Sequence, residues 1–364
     1  MPVRYGTSFL KFVTIAWANR LAIKYDTCIA SCKMTSQNLF LSELEEHSLN
    51  ILVTGGAGFI GSHLCARLLE EGHHVLCVDN LLTGAERNIE SLRTHPNFSF
   101  QRRDVTKPFQ FEADVIYHMA SPASPVGYME HPIETILVNS YATYLMLEQA
   151  REQNARFLYS STSEAYGDPQ EHPQREEYWG HVNPIGPRAC YDESKRLGET
   201  LTMEYYRRYQ VNARIVRIFN TYGPNSQLED GRMIPNFITQ ALQNEPLTIY
   251  GNGSQTRSIC YVSDLVDGLV RAMFTPNTAG EVYNLGSTDE KTVLEYAQLI
   301  IKLCNASSSL VYKSGRIDDP ERRRPDISKA QQALGWQPHV SMEEGLRHTI
   351  DWFSKQLPHL TTIS

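Results

Sequence analysis

Tyr191 and Lys195 stand four residues apart in Tyr191-Asp192-Glu193-Ser194-Lys195, the spacing that places two side chains on one face of a helix. An ammonium lying beneath a phenol favours the phenolate, so a hydroxyl that ordinarily titrates near ~10 becomes a base at neutral pH. Taken alone, a Y-x-x-x-K reads more readily as a solvated helix face. Two upstream segments give it weight: the glycine-rich turn Gly55-Gly56-Ala57-Gly58-Phe59-Ile60-Gly61 and the polar run Ser160-Ser161-Thr162-Ser163-Glu164. In that order the three segments point to nicotinamide-dependent redox chemistry on a bound sugar.

Such chemistry needs a scaffold that brings a dinucleotide to the tyrosine. From Asn50 the pattern runs strand (51–53), glycine turn, amphipathic helix (62–71, ended by Gly72) and strand (74–78), as a parallel α/β sheet requires. Gly55, Gly58 and Gly61 form G-x-x-G-x-x-G, a variant of the dinucleotide fingerprint: small residues let the backbone approach a pyrophosphate whose charge sits at the helix N-terminus. Asp79, eighteen residues after Gly61, is placed to accept from the adenosine ribose hydroxyls, which prefers NAD over NADP. Further strands are expected at 98–102, 115–119, 157–160 and 214–218, with Asp104 and Val105 after the third bracketing the adenine. Long helices are expected over 133–153 and 191–209, a pair suited to a homodimer face. After Asn220 shorter elements (234–243, 264–273, 292–303) alternate with Pro-, Gly- and Asn-rich loops. The expectation is a Rossmann-type doubly wound parallel sheet over 50–220. A smaller C-terminal substrate-binding lobe follows over 221–355, with some segments returning to the Rossmann domain, and then a tail, 356–364.

Composition narrows the function. The chain has 364 residues, 41% hydrophobic and 21% charged, with a net charge of -7, enough for one or two domains and without the basic footprint of nucleic-acid or membrane-surface binding. Cysteines at 28, 32, 65, 77, 190, 260 and 304 are odd in number, with neither C-x-x-C pairs nor a His cluster. This predicts reduced thiols in a cytoplasmic protein and no metal site; Cys190 reads as packing beside Tyr191. Residues 1–49 form an N-terminal extension, expected to be disordered. Over residues 1–33, Arg4, Lys11, Arg20, Lys24 and Lys33 face only Asp26, and the apolar stretch 12–18 is shorter than the ~20 residues of a membrane span. A transit peptide is one reading. The preferred one starts the working protein at Met34, whose short acidic lead (Glu43, Glu45, Glu46) runs into the first strand.

Several segments resemble the extended short-chain dehydrogenase/reductase superfamily and, more narrowly, its UDP-glucuronic acid decarboxylase family. They are His118-Met119-Ala120-Ser121-Pro122-Ala123-Ser124-Pro125, Ser161-Thr162-Ser163-Glu164-Ala165-Tyr166-Gly167-Asp168-Pro169, Glu171-His172-Pro173-Gln174, Asn183-Pro184-Ile185-Gly186 and Asp319-Pro320-Glu321-Arg322-Arg323-Arg324-Pro325-Asp326. The resemblance implies a redox-neutral cycle on a retained NAD, in which UDP-glucuronic acid becomes UDP-xylose and CO2 through a 4-keto intermediate. It implies Tyr191 as base with Lys195, Thr162 as hydrogen-bond partner of the 4-oxygen, Glu164 as acid or base through a water, and Arg323 beside the carboxylate. It adds Asn80, Thr83, Gly84 and Ala120 to the cofactor set of Gly55, Gly58, Phe59, Ile60, Gly61, Asp79, Asp104 and Val105. Tyr128, Asn220, Thr221, Arg232 and Arg257 are implied on the sugar-nucleotide side, Arg257 as a bidentate partner of the diphosphate. In the family's animal members a lysine is expected where this chain has Leu137. A sugar-nucleotide 4-epimerase would share NAD, Tyr191 and Lys195 without needing Glu164 and Arg323. A 4,6-dehydratase would carry an Asp-Glu pair at Ser163-Glu164, and a non-enzymatic NAD-binding scaffold has no need of the Tyr-Lys pair.

Overall fold

A computed structural model describes residues 48–228, 231–315 and 322–360. The basic extension, the reading of Met34 as a start, and Asp319-Pro320-Glu321 lie outside the described residues. The glycine fingerprint sits between β1 (Asn50–Thr54) and α1 (Phe59–Glu70), and β2 (His74–Asp79) returns beside β1 in parallel register. Ile51, Leu52 and Val53 are almost wholly buried, the continuous apolar run of a strand covered on both faces. Next come β3 (Phe98–Arg102), β4 (Val115–His118), α2 (Pro125–Glu130), α3 (Pro132–Asn139), α4 (Tyr141–Gln153), β5 (Arg156–Thr162), α5 (Ala189–Tyr209) and β6 (Ala213–Ile218). With β11 (Val282–Leu285) they complete a seven-stranded sheet in the order β11-β6-β5-β4-β1-β2-β3, parallel throughout. The expected α/β fold, a Rossmann-type doubly wound sheet, is what these strands build, and β11 is a segment from the second half that returns to it.

The smaller elements between and after these are β7 (Thr221–Tyr222), α6 (Met233–Leu242), β8 (Leu247–Tyr250), β9 (Thr256–Ser258), β10 (Cys260–Tyr261) and α7 (Val262–Phe274). They continue as β12 (Glu290–Thr292), α8 (Val293–Cys304), β13 (Leu310–Lys313), β14 (Arg322–Arg323), α9 (Ser328–Leu334) and α10 (Met342–Leu360). A second apolar cluster, including Phe237, Ile249, Tyr296, Ile300 and Phe353, holds α6, β8, α8 and α10 together, while α7 packs on α1 and the main sheet. The short sheet β12-β9-β14 sets Arg323 level with Arg257 on adjacent strands. No helix among the described residues is long and apolar enough to cross a membrane.

Two differences from the sequence reading have local causes. The single helix expected over 133–153 is broken at Ser140, with φ -113 and ψ -72. There the hydroxyls of Ser140 and Thr143 donate to the carbonyls of Ile136 and Asn139, side-chain bonds that compete with a regular ladder. Asn139 meanwhile turns inward to donate to Ser194 Oγ at 3.0 Å. Residues 356–360, read as tail, continue α10, where Leu357 packs against the second cluster.

Helix α5, which carries Tyr191 and Lys195, approaches the sheet through Gly198. A Cβ there would stand 2.1 Å from Tyr159 Oη and 2.8 Å from the Asn139 carbonyl oxygen. Glycine to alanine in a helix ordinarily gains ~0.5–1 kcal/mol, whereas overpacking a core costs ~1–3 kcal/mol, and a buried ring with a backbone carbonyl behind it leaves little room to yield. Gly198→Ala is therefore expected to destabilise the fold by about 1–2 kcal/mol in denaturant unfolding; an unchanged or raised midpoint would show that α5 can back away from β5.

Candidate active site

A cavity of ≈ 1070 Å³ follows the C-terminal ends of the sheet strands, where open parallel sheets bind ligands. Every site residue expected from the sequence lines it. At one end the fingerprint turn makes the close approaches that only glycine permits. Gly55 has φ +71 with a virtual Cβ 2.7 Å from the Ala120 backbone, and a Cβ on Gly61 would fall 2.2 Å from the Gly55 carbonyl oxygen. Gly58 caps α1 without a side chain, so the first-turn N–H groups of Phe59, Ile60 and Gly61 face the cavity as a ready anion site. Asp79 is held by the Ala57 and Leu81 N–H groups at 3.0 and 2.8 Å, and burial pushes its carboxyl up. Asn80, Thr83, Gly84, Asp104, Val105 and Ala120 surround it along the wall; Asp104 Oδ1 also accepts from the Thr106 N–H and hydroxyl. This cradle fits a dinucleotide with free ribose hydroxyls, and an acid at its rim repels a 2′-phosphate. His118, beneath the turn, bonds Thr54 Oγ1 at 2.8 Å and the Val138 carbonyl at 3.2 Å. Burial and the Lys195 ammonium push it down to about 3, so it is a neutral brace.

Tyr191 and Lys195 are both almost wholly buried. Lys195 Nζ donates to the Ser160 carbonyl at 2.7 Å and lies 5.9 Å from the centre of the Tyr191 ring. Desolvation pulls Lys195 down to about 7, with Glu199 opposing. Burial likewise drives Tyr191 upward, against the Thr162 hydroxyl; Glu164 and Asp192 add to the rise, and Arg232 works against it. In the protein alone, then, Thr162 and Arg232 favour the phenolate, and the Lys195 proton is committed to the β5 backbone. Tyr128 stacks on Tyr191 at 5.0 Å and 10° between ring planes; its hydroxyl is buried with no hydrogen-bond partner among the described residues.

The 3-10 turn after β5, Ser163–Tyr166, begins with Thr162 accepting from the Glu164 N–H at 3.1 Å. It presents Glu164 to two guanidiniums. Arg323 binds both carboxylate oxygens, Nη2 at 3.0 Å, and Arg188 Nη2 reaches Oε2 at 2.6 Å. Burial alone would raise Glu164, but Arg323 and Arg188 outweigh it and hold the carboxyl below its usual range. Glu164 is thus an anion, able to accept a proton or anchor a water. Asp192, four residues after Arg188, is pushed up to about 7 by burial and then by Glu164.

Arg257 is buried beside Arg323, its Nη1 on the Thr256 carbonyl at 2.8 Å. Arg232 lies over the Phe59 ring at 5.7 Å, beside the fingerprint turn. Asn220 and Thr221 follow β6 at the cavity floor, where Thr221 Oγ1 donates to the Phe219 carbonyl at 2.8 Å. Sequence reasoning missed Arg188, Asp192 and Glu199. The signal available was their position on the α5 face of Tyr191 and Lys195. Leu137, at the position of the expected lysine, lines the cavity with its side chain partly exposed. Among the described residues no group of 3 or more His, Cys, Asp or Glu is placed to hold a metal ion.

A family model described as NAD dependent epimerase/dehydratase family matches residues 51–286. The chain is 53% identical over 320 residues to UDP-glucuronic acid decarboxylase 1 of Danio rerio, spanning 88% of this chain and 76% of that protein. To the protein of the same name from Xenopus tropicalis it is 52% identical, over 99% of this chain and 90% of that one. Among solved structures it is similar to UDP-glucuronic acid 4-epimerase from Bacillus cereus in complex with UDP-glucuronic acid and NAD. The TM-score there is 0.77 at 32% identity, covering 85% of this chain and 99% of that one. Against the epimerase Mth375 of Methanothermobacter thermautotrophicus the TM-score is 0.82 at 31% identity, over 89% and 98%. The chain therefore belongs to the NAD dependent epimerase/dehydratase family and, within it, to the UDP-glucuronic acid decarboxylases.

Proposed function

We propose that the protein converts UDP-glucuronic acid to UDP-xylose and CO2 with a retained NAD. The observation that carries this reading is the Glu164 carboxylate clasped by Arg323 and Arg188 next to Tyr191 and Thr162. Gly55, Gly58, Phe59, Ile60, Gly61, Asp79, Asn80, Thr83, Gly84, Asp104, Val105 and Ala120 hold the cofactor, with Lys195 beneath it. NAD, when bound, supplies the hydride acceptor for C4 and later the donor. Tyr191 takes the proton of the 4-hydroxyl while Thr162 holds the same oxygen. The product of that step is a β-keto acid, whose carbonyl accepts the electron pair left when the C5–carboxyl bond breaks. Arg257 fits the diphosphate as a fork of donors, with Arg232, Asn220, Thr221 and Tyr128 completing the grip on the sugar nucleotide.

Two guanidiniums face one carboxylate around Glu164, so the cluster keeps one positive charge for the sugar carboxylate while Asp192 is protonated. A 4-epimerase acting on the same sugar remains the second reading, favoured by the likeness to the Bacillus cereus enzyme. A 4,6-dehydratase is disfavoured, because Ser163 stands where its second acid would be. The exposed apolar side chains Ile133, Leu137, Tyr141 and Tyr144 on α3 and α4, and Leu197 on α5, support a homodimer face. The free thiols of Cys65, Cys77, Cys190, Cys260 and Cys304 suit the cytoplasm.

Incubation with UDP-glucuronic acid should give UDP-xylose and CO2 one to one, with no build-up of reduced cofactor. UDP-galacturonic acid without gas release would mark an epimerase. Replacing Arg323 by Ala should slow decarboxylation by roughly 100-fold while changing UDP affinity far less, as read by product analysis and UDP titration.

Tyr191→Phe removes only the proton acceptor, and turnover should fall roughly 100-fold or more with NAD occupancy and thermal unfolding unchanged. Retention of turnover within tenfold would mean that another group is the base.

The pH response of substrate binding comes from Asp192, whereas Lys195, which titrates in the same range, acts on turnover. Below about 7 Asp192 is neutral and the cluster is positive; as pH rises through that value it ionises and cancels the surplus charge. The KM for UDP-glucuronic acid should therefore rise by roughly threefold from acid to alkaline conditions, the size of a partly solvated ion pair, while UDP binding stays level. Asp192→Asn should flatten the KM profile; a parent profile already flat would disprove the coupling.

A further inference from the structure

We propose that Gln174, the last residue of Glu171-His172-Pro173-Gln174, is a positioning residue for Arg323 and so for the decarboxylation step. The inference rests on the decarboxylase reading, in which Arg323 works beside the sugar carboxylate.

Strand β14 is only Arg322 and Arg323, paired on one side with β9. Two residues supply too few ladder bonds to fix a long side chain, and the next residues run into Pro325, which has no N–H to offer. The other side of this stretch belongs to Gln174, which is wholly buried and forms an isolated parallel bridge with Pro325. Its N–H donates to the Arg324 carbonyl at 2.9 Å, and its carbonyl accepts from the Asp326 N–H at 2.7 Å. These main-chain bonds flank the proline.

The side chain does something the backbone bonds do not. Gln174 Oε1 accepts from the Arg324 N–H at 2.9 Å, the amide that directly follows Arg323, and Nε2 donates to the Glu171 carbonyl at 2.6 Å. The peptide joining Arg323 to Arg324 is thereby pinned to residue 171, in the segment that continues from the Glu164 turn. Asn284, on β11, donates to the carbonyls of both Gln174 and Asp326 at 3.1 and 3.2 Å, and accepts from Tyr166 Oη at 2.8 Å. The clamp is thus tied to the edge strand of the main sheet and to the turn that bears Glu164. Arg323 spends both terminal nitrogens on Glu164. A two-pronged pair is set by orientation as well as distance, so a small rotation of the following peptide disturbs it, and displacements of about 1 Å are enough to cost roughly 100-fold in rate. This gives the Glu-His-Pro-Gln segment a task that no contact with the sugar would reveal.

The experiment is a double-mutant cycle in the full chain with Gln174→Met, which keeps the side chain's length and removes both side-chain hydrogen bonds, and Arg323→Ala. Three quantities are read for each variant: the rate of UDP-xylose formation, UDP affinity, and the reduced cofactor present in a single turnover. Gln174→Met should lower the rate by roughly 10- to 100-fold, raise the reduced cofactor and leave UDP affinity within about threefold. In the double variant it should add almost nothing to the loss from Arg323→Ala, because its effect passes through that guanidinium. Additive losses, or equal losses of UDP affinity and rate, would overturn the proposal. Should Gln174→Met not fold, Gln174→Leu, which removes the same two side-chain hydrogen bonds with a shorter apolar side chain, is read in the same cycle by the same criterion of non-additivity. A parent protein that makes no UDP-xylose would instead refute the decarboxylase reading, an outcome seen before any variant is compared.

Discussion

A carboxylate taken out of water between two guanidiniums is the constraint around which the site is built. Removing an ion from solvent costs several kcal/mol, and attraction in the interior offsets this only when partners hold good geometry. Glu164, Arg188 and Arg323 come from three separate stretches: the 3-10 turn after β5, the N-terminal edge of α5, and β14. Each must arrive with its side chain aimed, which explains the polar bracing nearby. Thr162 fixes the Glu164 amide, and the parallel register of β14 with β9 sets Arg323 beside Arg257. These two buried guanidiniums are consequently placed by one small sheet.

Helix α5 also carries a second, half-buried ion pair. Arg217 grips Glu199 through two bonds of 2.8 Å, Ser161 donates to the same carboxylate, and Arg217 reaches on to Tyr166 Oη at 3.0 Å. Glu199 is also the charge that counters the desolvation of Lys195. Helix α5 therefore buries Tyr191, Asp192 and Lys195, with Glu199 half-buried beside them, where an ordinary helix would bury leucine. Burial pushes the ammonium of Lys195 toward neutrality and the Tyr191 phenol away from ionisation. A site held so far from the ionisation states its chemistry uses is poised for a partner that supplies charge or hydroxyl groups, which a dinucleotide ribose and a sugar nucleotide do.

The Rossmann half was legible because its signals are local: an apolar strand, three glycines at fixed spacing and a terminal aspartate act within one β-α-β unit. Its strands fell within a residue or two of expectation, and the site residues proposed from motifs share one cavity. What escaped were features set by distant partners. The helix breaks at Ser140 because the hydroxyls of Ser140 and Thr143 compete for carbonyls and Asn139 is drawn to Ser194, none of which periodicity reports. Arg188 resembles a loop cation until Glu164 is placed beside it. The spacing of Tyr191 and Lys195 predicted a shared face correctly but not that the ammonium would be turned to Ser160. A side chain's face can be read from sequence, but not which acceptor on that face it chooses.

Kinship with 4-epimerases at about a third identity sharpens the question of what makes one scaffold release CO2 and another invert a centre. Both need a base at the 4-hydroxyl and a hydride partner, so Tyr191, Thr162 and the glycine turn do not discriminate. Once C4 is a carbonyl, loss of the carboxylate requires its negative charge to flow toward the ketone. Strong pairing of that carboxylate would hold the ground state back, since stabilisation made equally before and during bond breaking does not accelerate the step. On the decarboxylase reading, Glu164 supplies the needed moderation: by occupying both terminal nitrogens of Arg323 it leaves enough positive charge to bind the uronic acid and too little to trap it. On that reading the ion pair that Arg323 and Arg188 make with Glu164 sets the grip on the leaving group, and with it whether the 4-keto sugar loses CO2 or simply takes its hydride back.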